Sequence, residues 1–254
     1  MRNLHKYEEM FPDEFAAEVK RRPIVYCSFG PVEYHGPHGA LGMDYLKGYE
    51  ICLRAVEISG GIVYPLLPIA PGGNPMMNRD ELRALAKISY PGVFTSAELC
   101  EKLYAELFET FAEDIGFKVC VAMGSHGPAG TLAKKIAAEN PALKGMKIIA
   151  TGSLSHNLDL VKAEYARLGI ARISHGGMWE SAMLMVSNPE LVDPEKLLTI
   201  PPGPAEEYSD KKYGPEARPY YEEISKVTRE FGERLIQTAA ERIAAEALAA
   251  LEQK

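Results

Sequence analysis

The chain has 254 residues, 46% of them hydrophobic and 25% charged, which is the balance of an ordinary folded protein and excludes a disordered or fibrous one. Its length suits a single domain over residues 1–254, and a net charge of -7 without a basic stripe argues against a nucleic-acid partner. The N-terminus lacks a basic region followed by an apolar core, and no run of about 18 apolar residues occurs, so a cytoplasmic protein that does not span a membrane is expected.

Short apolar runs alternate with glycine-containing turns and helical patterns, the rhythm of an α/β protein with a mainly parallel sheet of at least four strands flanked by helices. The runs Pro23 to Phe29, Ile62 to Leu67, Phe117 to Met123 and Lys147 to Thr151 read as strands covered on both faces, because they are apolar without strict alternation. Asp44 to Ser59 reads as a helix stopped by Gly60 and Gly61. Thr95 to Ile115 reads as another, with Thr95 and Glu98 as a capping box, Leu99, Leu103, Leu107 and Phe111 as the apolar stripe, and Gly116 as terminator. Further helices are expected from Ala129 to Glu139 and from Trp179 to Val186.

Pro68 to Gly92 is rich in Pro, Gly, Asn and Met and reads as a long irregular loop with one helical turn at Asp80 to Ile88. Residues 201–221 form a Pro- and charge-rich linker to a C-terminal helix over 223–251, whose stripe of Val227, Phe231, Leu235, Ile243, Ala247 and Leu251 should pack on the domain or on another subunit. Cys27, Cys52, Cys100 and Cys120 are widely spaced without a CxxC pair and read as thiols in a reducing compartment.

Chemistry concentrates in three segments. After the first strand comes Glu33-Tyr34-His35-Gly36-Pro37-His38, then Asp44. Glu33 and His35 are two apart, so on an extended backbone both side chains project to one side, and a Gly-rich loop lets Asp44 turn back toward them. After the third strand comes Gly124-Ser125-His126-Gly127, which places an imidazole at the same rim. The third segment is His175-Gly176-Gly177-Met178-Trp179-Glu180, with glycines that leave room beside His175 and a carboxylate at a helix start. Mixed imidazole and carboxylate ligands suit zinc, manganese or iron. Plainer readings stand beside these. Asp44 can be a helix cap, Glu33 a solvated acid, His38 a loop hydrogen bonder, Glu180 a dipole partner, and Trp179 either a wall for a flat substrate or a core plug. The turn at Gly124 to Gly130 can also cradle a phosphate at a helix N-terminus, which would make the chain a metal-free binding protein for a phosphorylated or sugar-like molecule.

EYHGPHGALGMD (Glu33 to Asp44), GSHGPA (Gly124 to Ala129) and HGGMWESA (His175 to Ala182) resemble, in this order, the EQHGPHLPLGTD, NGHGGN and HAGExETS segments of the creatininase (creatinine amidohydrolase) family. Tyr90-Pro91-Gly92-Val93 and the GERL of Gly232 to Leu235 add weaker matches. The resemblance implies a creatininase-like α/β fold and a metal-dependent amidohydrolase. Its substrate would be a small molecule such as a cyclic amide, a formamide or a related carbonyl compound, attacked by a metal-activated water.

It also implies two divalent ions, with zinc expected and manganese or iron as alternatives. Asp44 bridges them, Glu33 and His126 complete one site, and His35 belongs to the other. Creatininase supplies a Glu just after the second-segment His, but Pro128 stands there in this chain, so Glu180 is the remaining ligand candidate. His175 matches the family's proton-transfer residue, and Trp179, Tyr34 and His38 are the candidate substrate contacts. A homo-oligomer, with a hexamer as the family's common form, is implied as well. Tyr34, Met43, Ala129 and Met178 replace the family's Gln, Thr, Asn and Glu, so the resemblance implies a reaction class rather than one substrate.

Overall fold

The six residues Ile24–Phe29 are all buried and form strand β1, which explains a run without polar alternation. It sits inside a four-stranded sheet ordered β2-β1-β3-β4, with β2 at Ile62–Val63, β3 at Val119–Gly124 and β4 at Lys147–Gly152. Every pairing is parallel. This computed structural model describes residues 4–73, 76–81, 92–171, 173–199 and 218–253. The helices are α1 (Pro12–Arg21), α2 (Met43–Ser59), α3 (Ala97–Thr110), α4 (Gly127–Glu139), α5 (Leu158–Leu168), α6 (Met178–Ser187), α7 (Lys196–Thr199), α8 (Arg218–Ile224) and α9 (Arg229–Glu252). Among the described residues, no helix is long and apolar enough to cross a membrane.

Successive strand side chains point to opposite faces, so one strand feeds two cores. Ile24 and Tyr26 of β1 join Val119, Val121 and Met123 of β3 under α2, α5, α6 and α9. Val25, Cys27 and Phe29 join Cys120 and Ala122 under α3 and α4, with Phe15 and Val19 of α1 at the margin. All four cysteines are buried and free. This is the expected α/β architecture.

Several boundaries differ from expectation. Strand β2 stops at Val63, well before Leu67, although Tyr64 still donates its N–H to Tyr26 O at 2.8 Å. An isolated bridge between Phe29 and Leu67 is all that continues the pairing. Ser96, not Thr95, caps α3 by accepting from Leu99 N–H at 3.4 Å. The fully buried face of α3 is Cys100, Tyr104 and Phe108; of the expected stripe, Leu103 and Leu107 are partly buried against the same core and Phe111 is buried, whereas Leu99 is 58% exposed. Both stripes have the same spacing; the aromatic one lies deeper because Tyr104 packs on Phe29 with ring centroids 4.1 Å apart. A π-turn, Phe111–Ile115, follows, and Gly116 ends it at φ 91°.

The C-terminal helix is not continuous from 223. Helix α8 ends at Ile224, and Thr228 starts α9 by accepting from Phe231 N–H at 3.1 Å. Within α9, Phe231, Leu235, Ile243 and Ala247 are buried as the stripe requires. Helices α1, α5 and α7 come in addition to those expected, and α8 begins at Arg218 inside the expected linker. Tyr90 and Pro91, most of the anticipated turn at 80–88, and linker residues 201–217 lie outside the described residues.

Helix α9 packs against both α2 and α6. At Gly232 it meets α6 so closely that a Cβ there would fall inside van der Waals contact of Ala182 O. Because the obstacle is backbone, it cannot rotate away. Gly232→Ala is expected to destabilise the protein by about 1–3 kcal/mol, the usual cost of overpacking, read as a lower urea midpoint with an unchanged slope. An unchanged midpoint would mean that this crossing is loose.

Candidate metal centre

Parallel strands present their C-termini along one edge, and the register that sets Phe29 opposite Gly124 releases the segments after β1 and β3 side by side. Glu33 and His35 lie on the first segment and His126 on the second. Glu33 N–H donates to Leu41 O at 2.9 Å, which folds the intervening loop back so that Asp44 enters from the first turn of α2. The cap position of α2 is Gly42, so Asp44 is not the cap. Glu180 enters from the first turn of α6. The five residues expected to meet therefore do meet, and all are buried.

The distances are close and the polarity is unusual. His126 Nδ1 lies 3.0 Å from Glu33 Oε2 and 3.3 Å from Asp44 Oδ2. His35 Nε2 lies 3.3 Å from Asp44 Oδ1 and 3.9 Å from Glu33 Oε2. His35 Nδ1 faces the carbonyl of Glu33 at 3.1 Å, and since a carbonyl only accepts, Nδ1 carries a proton. That leaves Nε2 aimed at carboxylates, which calls for a cation between them, either a proton or a metal.

Without a metal the cluster takes up protons. Burial would push His126 down, but the carboxylates of Glu33 and Asp44 outweigh it and hold the imidazolium up at about 10. His35 is raised too: burial opposes the charge and Asp44 more than compensates. Asp44 is held well below its usual range. Burial works against that, and Lys47, His35 and His126 prevail.

Glu33 Oε2, His35 Nε2 and Asp44 Oδ2 are buried without a hydrogen bond. Atoms that approach one another yet do not bond suit ligands around an ion: at zinc bond lengths of roughly 2.0–2.2 Å, tetrahedral ligands stand about 3.3 Å apart. Among the described residues, three groups can hold a metal: Glu33, Asp44 and His126; His35, Asp44 and Glu180; and Glu33, His35 and His175. The donor set fits a divalent cation.

His175 stacks on His35 with ring centroids 4.2 Å apart. Its Nε2 donates to Tyr34 O at 3.0 Å, so in the neutral ring the lone pair is on Nδ1. Burial and the neighbouring His35 push its pKa down, which favours that neutral form. The contact depends on Gly176: its φ is 60°, and a Cβ there would collide with His35 O. A cavity of about 260 Å³ opens beside the cluster, bordered by Asp44, Ser125, His126, His175, Trp179 and Glu180.

Trp179 thus borders the cavity, whereas Tyr34 and His38 do not. His38 Nε2 instead donates to Gly176 O at 2.9 Å and lies 3.2 Å from Ser181 Oγ, tying the first segment to the third. Tyr34 takes part through its backbone carbonyl.

Sequence reasoning missed Lys47. Its side chain is fully buried, with Nζ 2.7 Å from Asp44 Oδ1, hydrogen-bonded to Glu180 Oε1, and 5.1 Å from the centre of the Trp179 ring. The available signal was a lysine on the same helical face as Asp44, Ile51 and Ala55, where only buried residues belong. Glu180 is consequently engaged at both oxygens, because Oε2 accepts from Gly176 N–H at 2.6 Å.

Fold and site define the class: a parallel α/β protein with a buried imidazole–carboxylate cluster at the strand C-termini. A sequence model of the creatininase family, described as creatinine amidohydrolase, matches residues 8–247, and the chain belongs to that family. A manganese form of creatininase superposes with a TM-score of 0.73 at 19% identity, covering 98% of this chain and 99% of the other. A creatinine amidohydrolase structure gives 0.72 at 19% identity over 98% and 99%. A zinc–zinc form of a creatininase point mutant gives 0.70 at 19% identity over 99% and 100%. At these identities the superpositions establish the fold, and membership rests on the family model. No curated protein matches the sequence.

Proposed function

We propose that the chain is a metal-dependent amidohydrolase that cleaves a non-peptide C–N bond in a small cyclic amide, formamide or related carbonyl compound. The observation that carries this reading is the convergence of His35 Nε2 and His126 Nδ1 on the carboxylates of Glu33 and Asp44, buried and without hydrogen bonds at Glu33 Oε2, His35 Nε2 and Asp44 Oδ2. Asp44 turns Oδ2 toward His126 and Oδ1 toward His35, so it is shared by two cation positions. Glu33 and His126 complete one, and His35 and Glu180 the other. A bound divalent ion lowers the pKa of a water toward neutrality and polarises a carbonyl.

The chain's own residues supply the rest. In hydrolysis the C–N bond breaks, the water oxygen stays on the carbonyl carbon, and a proton passes to the leaving nitrogen. His175, neutral with its lone pair on Nδ1, takes and returns that proton. Trp179 walls the cavity. The single-domain, cytoplasmic homo-oligomer expected from the sequence remains part of the proposal.

The test combines elemental analysis with a panel of cyclic amides, lactams and formamides. The purified protein is expected to carry zinc, manganese or iron and to turn over at least one compound; chelation should abolish turnover and metal addition restore it. A protein that stays metal-free under loading yet binds a sugar phosphate would overturn the assignment in favour of a binding protein.

A further inference from the structure

The geometry around Lys47 points to a division of labour between the two cation positions. We propose that the Lys47 ammonium occupies the second position, so that each chain retains one divalent ion, at Glu33, Asp44 and His126. This inference rests on the metal-dependent reading above and departs from the two-ion centre that the family resemblance implies.

Position comes first. A metal held by His35, Asp44 and Glu180 would draw on Asp44 Oδ1, which faces His35, and on an oxygen of Glu180; Lys47 Nζ is hydrogen-bonded to Asp44 Oδ1 and Glu180 Oε1, and Gly176 N–H already occupies Oε2. The ammonium also lies against the Trp179 ring, so it is enclosed by two carboxylates and an aromatic face. It cannot relax into water where it stands, since the side chain has no exposed surface. On the other side, Asp44 Oδ2 and Glu33 Oε2 are free of Lys47 and face His126 Nδ1. The two oxygens of one carboxylate thus serve two different cations.

Charge leads to the same count. Glu33, Asp44 and Glu180 bring three negative charges and Lys47 one positive; with neutral imidazoles one divalent ion balances the site, and a proton on His35 Nε2 facing Asp44 Oδ1 leaves a single positive charge. A second divalent ion would leave the buried site with two uncompensated positive charges, and uncompensated charge in a low-dielectric interior is strongly unfavourable.

Full-length protein is loaded with excess Mn(II), freed of loose metal by gel filtration, and examined by elemental analysis and electron paramagnetic resonance. The wild type is expected to hold one equivalent per chain with the spectrum of isolated Mn(II). Lys47→Met, of similar length but neutral, is expected to hold two equivalents with an exchange-coupled spectrum. Should Lys47→Met not fold, Glu180→Gln decides: one retained equivalent in both wild type and Glu180→Gln supports the proposal, because Glu180 then serves Lys47 rather than a metal. Two coupled equivalents in the wild type would overturn the proposal and leave the hydrolase reading intact. No retained metal in any variant would overturn the hydrolase reading itself.

Discussion

Asp44→Ala is expected to reduce the retained metal to background and to abolish turnover. Among the described residues, Asp44 alone has a carboxylate that faces His35, His126 and Lys47 together, with contacts of 3.3, 3.3 and 2.7 Å. Removing it deprives both cation positions of a ligand. It also leaves the buried ammonium of Lys47 with Glu180 alone, and breaking a buried ion pair from one side typically costs about 3–5 kcal/mol. The variant should therefore unfold at lower urea concentration as well as lose its metal, and circular dichroism alongside elemental analysis separates the two effects. Metal content equal to that of the wild type would contradict the shared-carboxylate assignment.

His175→Ala is expected to keep its metal and lose turnover by a factor on the order of 10² to 10⁴, the usual contribution of a general acid or base. The imidazole stacks on His35 and borders the cavity, and its Nε2 is committed to Tyr34 O, so Nδ1 alone is available for proton transfer. The rate is measured on whichever compound of the panel turns over. If the variant loses metal, His175 is a ligand, as its grouping with Glu33 and His35 permits. Unchanged turnover with unchanged metal would remove it from the chemistry.

The sequence by itself determined three of the four strand runs and the start of the other, the α/β class, and the three segments whose residues meet at the sheet edge. It could do so because those features are local: apolar runs mark buried strands, and glycine-flanked acids and histidines mark the loops that follow them. The family resemblance rested on the same short segments.

What depends on partners far along the chain was decided by packing. The leucine and aromatic stripes of α3 share one spacing, and packing on Phe29 takes Tyr104 and Phe108 deeper into the core than Leu103 and Leu107. His38 was readable as a substrate contact until the tertiary fold placed Gly176 and Ser181 against it. The role of Lys47 required Glu180, which lies 133 residues away in sequence. A lysine on a buried helical face shows only that some acid must neutralise it. Which acid does so, and hence how many metal ions the site can hold, is set by where α6 comes to rest against α2.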